Sequence, residues 1–299
     1  MRSRRRVRIG GQTSYSAPAI TAPFEYAVRH GFDAFEWFPD KRPTGQGWLE
    51  GDLLPEVRSL IRRTAREHDI ALSVHGSWDA SVLGEEGRDC LARQARFAAD
   101  IGAVTFVIHM DGGTDPARYL EAAKPLAARL ASGGIRLAIE NTPTTAPGEF
   151  NELFRLIGAS SSGGASSAAR RASIGWSGGT RSAPAVGMCL DVGHANLYAG
   201  TRNDYLAYVD SLSADVVISH VHLHENWGDA DSHLPLFTGP AERDASGITG
   251  LVGRLVQRGF AGCIVLEQWP DPPALLDIAR QRLDELFAAR LAGATSASR

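Results

Sequence analysis

Short apolar runs alternate with amphipathic stretches along most of this chain. Apolar segments bounded by turn residues predict strands at about 7–12, 32–37, 70–75, 104–109, 135–140, 186–191, 217–223 and 262–267. Between them, apolar positions recurring every three or four residues predict helices at 22–30, 52–68, 86–101, 115–131, 147–158, 202–213, 246–258 and 271–291. In the second helix Leu53, Leu54, Val57, Leu60 and Ile61 mark one face, and Arg58, Arg62, Arg63 and Glu67 the other. The run from Val104 to Ile108 is β-branched and apolar throughout, which suits a strand covered on both sides. Eight such alternations predict an α/β chain closed into a (β/α)8 TIM barrel, with residues 1–299 forming a single domain. An open doubly wound sheet is the main competitor. It would carry a Gly-rich phosphate loop after its first strand, and Gly10-Gly11-Gln12-Thr13-Ser14 does not form one.

One stretch breaks the rhythm. Residues 159–184 are dense in Ser, Gly and Ala, with Arg170, Arg171 and Arg181 scattered among them. Such a segment buries little apolar surface, so it reads as a flexible surface insertion between helix 5 and strand 6.

Composition narrows the setting. An apolar fraction of 43% supports a sizeable core, and 22% charged residues is ordinary for a globular protein. A net charge of −3 gives no overall pull toward nucleic acid or an anionic membrane. No run reaches the ~18–20 apolar residues of a membrane span. Cys90, Cys189 and Cys263 are odd in number and widely spaced, two of them inside apolar runs, which suits free thiols in a reducing cytoplasm. The basic N-terminus, Met1 to Arg6, leads into no apolar signal-peptide core.

The candidate chemistry collects at the strand ends. Six predicted strands close on a metal-capable residue: His75, His109, Glu140, Asp191, His222 and Glu267. An ionisable group ending an apolar run is costly to bury unless paired or bound to a cation. A repeat at one register, on the face where barrel active sites lie, points to a shared centre. Counting back by two gives Ser73, Val107, Ala138, Cys189 and Val265, all small enough to fill a barrel interior beneath it. Carboxylates mixed with imidazoles suit a borderline divalent ion, whereas Ca²⁺ would want oxygen ligands throughout.

These strand ends resemble the xylose isomerase-like TIM-barrel superfamily, which holds sugar isomerases and epimerases, dehydratase-type lyases and endonuclease IV-type repair enzymes. The residues carrying the likeness are Ile139 to Thr142, Leu190 to Leu197, His220 to Asn226, Asp231 to Pro235, and Val265 to Glu267. The resemblance covers nearly the whole chain apart from the insertion. The resemblance implies one divalent ion on Glu140, Asp191, His222 and Glu267. The endonuclease branch would add ligands at His75, His109, His194, Asp231 and His233, which here serve either as further metal ligands or as substrate contacts. After His233-Leu-Pro, relatives continue toward a Gly-acid-Gly turn, but this chain has Leu236-Phe-Thr-Gly-Pro240.

The expectation is a metal-dependent sugar, keto-sugar or polyol isomerase or epimerase. It would work through an enediolate, with Glu140 and Glu267 as acid and base. Mn²⁺ is the first choice of ion, with Zn²⁺, Co²⁺ and Mg²⁺ as alternatives. An endonuclease IV-like phosphodiester hydrolase is the runner-up, and a lyase of the same superfamily is chemically adjacent. The acidic balance, and lysine at only Lys41 and Lys124, argue against nucleic acid as the partner. Trp37, Trp78, Trp227 and Trp269 follow strand ends and form a candidate wall for the apolar face of a sugar. Whether the chain forms a homo-oligomer is left open by its sequence.

Overall fold

All eight apolar runs become strands within two residues of their expected places. They are β1 (Arg8–Gln12), β2 (Ala34–Trp37), β3 (Ala71–His75), β4 (Thr105–Met110), β5 (Arg136–Asn141), β6 (Val186–Asp191), β7 (Ile218–Leu223) and β8 (Cys263–Leu266). The structure, a computed structural model, describes residues 7–42, 44–160 and 185–296. Every strand pairs in parallel with its sequence neighbours, and β1 returns to β8 through Ile9↔Ile264, closing the barrel in the order β1 to β8. Closure satisfies both edges of the sheet, so no strand is left open to pairing with another chain.

The helices are α1 (Ala22–Arg29), α2 (Pro55–Glu67), α3 (Glu85–Ile101), α4 (Pro116–Ser132), α5 (Pro147–Ser160), α6 (Val192–Leu197), α7 (Tyr205–Ser211), α8 (Pro240–Arg243), α9 (Ser246–Gln257) and α10 (Ala274–Ser296). Local chemistry sets several ends. Asp115 caps α4 by accepting from the Ala117 N–H at 3.0 Å, and Gly102 closes α3 at φ 75°, where a glycine carries no Cβ penalty. The face expected for α2 is corrected. Pro55 starts the helix, so Leu53 and Leu54 precede it; Ile61 and Ala65 are buried, while Leu54 and Leu60 are exposed. The helix expected at 202–213 is the shorter α7, preceded by the single-turn stretch α6, which starts directly after β6. The insertion expected over 159–184 lies, from residue 161 onward, outside the described residues.

Two apolar layers result. Inside the barrel, Val107, Ala138 and Cys189 form a plug of small side chains. Between sheet and helices sit the large ones, among them Trp37, Phe97, Phe106, Phe150 and Tyr208. Cys90, Cys189 and Cys263 are free thiols, as their spacing suggested. Among the described residues no helix is long and apolar enough to cross a membrane.

Candidate metal centre

Register partners in a parallel sheet face the same way, and successive residues alternate. Gln12 pairs with Glu36, His109 with Glu140 and Asp191 with His222. With His75 and Glu267 they supply one polar side chain per strand, turned inward at the C-terminal end and set above the small apolar plug. The six strand-end residues read from the sequence therefore do converge.

Glu140 lies at the hub. Its Oε2 is 2.8 Å from His75 Nε2 and 3.6 Å from His109 Nε2, while its Oε1 is 3.3 Å from His222 Nδ1 and 3.5 Å from His194 Nδ1. His222 Nδ1 also faces Glu267 Oε2 at 3.7 Å and Asp191 Oδ2 at 4.0 Å. Toward the rim, Asp231 Oδ2 sits 3.2 Å from His194 Nε2 and 3.1 Å from His233 Nε2. All nine residues singled out from the sequence are thus gathered around one centre. His75, His109 and Glu140 form one metal-capable triad, and Glu140, His222 and Cys189 another. The Cys189 sulfur lies beneath the ring, and burial pushes its thiol well above the ordinary value, so it stays protonated.

The imidazoles are held in orientations that suit metal binding. Four donate Nδ1–H to a backbone carbonyl: His75 to Gly76 at 2.5 Å, His109 to Trp78 at 3.1 Å, His194 to Asn141 at 2.8 Å and His233 to Glu267 at 2.9 Å. A carbonyl can only accept, so Nδ1 keeps its hydrogen, and Nε2, directed toward a carboxylate of the cluster, is the nitrogen that would exchange its proton for a metal. His222 is inverted. Its Nε2 lies 2.8 Å from Glu36 Oε1 below the ring, which leaves Nδ1 for the centre. Glu36 Oε2 in turn accepts from His220 Nε2 at 3.0 Å. His233 takes φ 45°, a strained backbone for a non-glycine residue, and its ring bridges Glu267 and Asp231. The donor set, with its rings oriented from outside, fits a divalent ion.

Charge is divided unevenly. Burial works to raise the Glu140 carboxyl, but the imidazoles of His222, His109 and His75 hold it well below the usual carboxylate range. Burial is likewise outweighed at Asp191, where His194 and His224 bring the pKa down to about 2. At Glu267 burial prevails over His222 and His233 and the pKa is raised. The two glutamates paired in the sequence reading therefore differ in proton affinity.

Of the four tryptophans expected to form a wall, Trp78 and Trp227 are exposed at the mouth, at 61% and 50%. Trp37 is corrected: it follows the inward Glu36, so it points outward and is buried against Phe24, Phe35, Trp48 and Phe97. Trp269 leans back on Tyr26 of α1, edge to face at 5.5 Å. The loop that departs from the relatives' Gly-acid-Gly turn is firmly anchored. Phe237, at φ 68°, donates its N–H to Glu225 and packs under the Arg282 guanidinium at 3.6 Å. A cavity of about 340 Å³ opens beside the centre, lined by Asn196, Tyr205, His224, Asn226 and Trp227 among others.

Sequence reasoning passed over three inward residues: Gln12, His220 and His224. The signal was present, since the same count by two from His222 reaches both histidines and Gln12 ends β1 as Glu36 nearly ends β2.

No curated protein matches this chain. Among solved structures, a D-tagatose 3-epimerase-like protein is 17% identical with a TM-score of 0.66, the match covering 96% of this chain and 100% of that one. Endonuclease IV from Thermus thermophilus is 23% identical with a TM-score of 0.60, covering 93% and 99% respectively. A further Thermus thermophilus protein, from a crystal soaked with zinc chloride, is 21% identical with a TM-score of 0.60 over 95% and 99%. At such identities the likeness speaks for the fold alone. The family model described as xylose isomerase-like TIM barrel matches residues 24–286. With that match over most of its length and a barrel closed in strand order, the chain belongs to the xylose isomerase-like TIM barrel family.

Proposed function

We propose that the protein is a divalent-metal-dependent isomerase or epimerase acting on a sugar, keto-sugar or polyol. One observation carries the reading. Two buried carboxylates, Glu140 and Glu267, approach the same His222 Nδ1 at 3.3 and 3.7 Å, and one is held ionised while the other is tuned to take up a proton. Glu140, Asp191, His222 and Glu267 would hold the ion, Mn²⁺ by first choice. Bound there, a divalent ion supplies Lewis acidity and a template for two adjacent substrate oxygens.

The remaining work falls to the side chains. Glu267 removes the proton from the carbon beside the substrate carbonyl, because burial raises its proton affinity above that of an ordinary carboxylate and so makes it the stronger base of the pair. Glu140, charged and ringed by four histidines, fixes the geometry and serves as the partner across the ligand. Trp78 and Trp227 offer flat faces to the apolar side of a sugar ring.

A second reading rests on the convergence of all nine residues. Three overlapping ion positions would suit a phosphodiester hydrolase that activates water and clamps phosphate. The two separate in one experiment. Candidate ketoses incubated in D₂O with Mn²⁺ should gain deuterium beside the carbonyl, and Glu267→Gln should abolish exchange while binding metal. Cleavage of abasic duplex DNA at physiological salt, with no exchange or turnover across a broad sugar panel, would hand the assignment to the hydrolase.

A further inference from the structure

The metal centre takes no side chain from Leu236 to Pro240, the segment where this chain departs from the Gly-acid-Gly turn of its relatives. Glu225, just past β7, holds that segment in place. Its carboxylate accepts from the Phe237 N–H and, at 2.6 Å, from the Ala241 N–H. Its backbone exchanges hydrogen bonds with Leu234 at 3.0 and 2.8 Å. Pro240 and Ala241 of α8 are thereby fixed as one wall of the cavity of about 340 Å³, whose other walls come from α6, α7, α9 and the residues after β7. His224 joins this cavity to the centre. It lines the cavity, and its Nε2 lies 3.3 Å from Asp191 Oδ2 and 3.7 Å from Glu267 Oε2.

The lining selects for a planar apolar group. Val192, Pro240, Ala241 and Ile248 supply aliphatic surface, and Tyr205 and Trp227 supply aromatic rings. Most polar groups around the cavity are engaged with one another. Asn226 donates to the Gly193 carbonyl at 2.9 Å and accepts from Asn196 Nδ2 at 2.9 Å and from the Gly228 N–H at 3.0 Å. Asp244 accepts from the N–H and the hydroxyl of Ser246, each at 2.9 Å. A second sugar ring would therefore leave hydroxyls unpaired here. No lysine or arginine lines the cavity among the described residues, so a phosphate or carboxylate group is disfavoured as well. Tyr205 is the exception among the polar groups. Its hydroxyl has no hydrogen-bond partner among the described residues, and Gly247 leaves space beside it: a Cβ there would fall 2.3 Å from the phenol oxygen. Burial, with the charges of Glu225, Asp204 and Asp244, raises the Tyr205 pKa, so the group stays an O–H donor.

We propose that this cavity is a side pocket for an aryl group carried by the substrate, its ring held by Trp227 and Tyr205 and its oxygen substituent accepting from the Tyr205 hydroxyl. The substrate is then an aryl-substituted sugar or polyol, with the polyhydroxy part at the metal centre and the ring beyond His224. This rests on the isomerase or epimerase reading for the polyhydroxy part only.

The test is binding of phenol, phenyl β-D-glucoside and methyl β-D-glucoside to the full-length chain loaded with Mn²⁺, read by calorimetry. Phenol should bind at one site per chain, and the phenyl glucoside should bind at least about tenfold more tightly than the methyl one. Tyr205→Phe should weaken phenol by about fivefold, the worth of one hydrogen bond, with Tm unchanged. Gly247→Val, which pushes a side chain into the pocket, should weaken phenol by roughly tenfold or more while Mn²⁺ affinity stays at the parent value. Where that variant fails to fold, Trp227→Ala at the exposed wall serves in its place. Absence of saturable phenol binding, or phenol binding untouched by these substitutions, would overturn the proposal. So would equal affinity for the two glucosides. Deuterium exchange into unsubstituted ketoses would in that event leave the isomerase reading standing. Aryl binding as described, with no exchange in any sugar, would instead keep the pocket and remove that reading.

Discussion

Glu36 Oε1 lies 2.8 Å from His222 Nε2 with both side chains wholly buried, and the carboxylate beside the central imidazole comes from β2, three strands away around the closed barrel. Removing its charge should leave the ring free to turn or change tautomer. Glu36→Gln is expected to lower central metal affinity by roughly 10–100-fold at little cost in fold, because the amide keeps the shape. Calorimetric metal titration of the variant checks this, and unaltered affinity would assign Glu36 a packing role only.

Asp191 anchors the centre more directly. Its Oδ1 accepts the His194 N–H at 2.6 Å while Oδ2 faces His222 and His224. Asp191→Ala should reduce bound metal and turnover together. Retention of the full metal complement would remove Asp191 from the ligand set.

The metal-free chain should show a pH signature of the unfilled cluster. Although burial opposes it, the charges of Glu267 and Asp231 raise His233 from 6.5 to about 10. Its contribution to stability is therefore complete below the unfolded value of 6.5 and is lost as pH climbs toward 10. Asp191 has the opposite sign: its pKa falls from 3.8 to about 2, so its contribution is present above 3.8 and lost as pH drops through 2. Urea unfolding of the chelator-treated protein should accordingly show decreasing stability from neutral to alkaline pH. Saturating metal should flatten that slope, since bound ions replace the protons.

The tryptophans should divide by location. Trp37→Ala empties a fully buried position and should cost about 3–5 kcal/mol of stability. Trp227→Ala should barely move Tm yet raise KM several-fold, on the order of 1 kcal/mol of ring contact. Equal effects of the two on KM, with Tm unchanged in both, would contradict this division.

How much of this was legible beforehand follows from what each signal depends on. Strand positions depend on local apolar runs and on the pleat, and both are written in sequence. Hence β6 was read at its observed bounds, and Val107, Ala138 and Cys189 were recognised as interior by counting back from their strand ends. The same parity made the strand-end ring visible from His75 to Glu267, and it would have excluded Trp37 from the mouth had it been applied to β2. Other features exist only once the barrel closes. Glu36 meets His220 across 184 positions of sequence, and His224 finds Asp191 and Glu267 on the neighbouring strands. Which nitrogen His194 presents is decided by the carbonyl of Asn141, 53 residues away. The difference in proton affinity between Glu140 and Glu267 was likewise out of reach, because both end apolar runs of the same kind. Their unequal share of the surrounding imidazoles, with the charges of Asp191 and Glu140 pushing Glu267 up, separates them, and both are properties of the closed barrel.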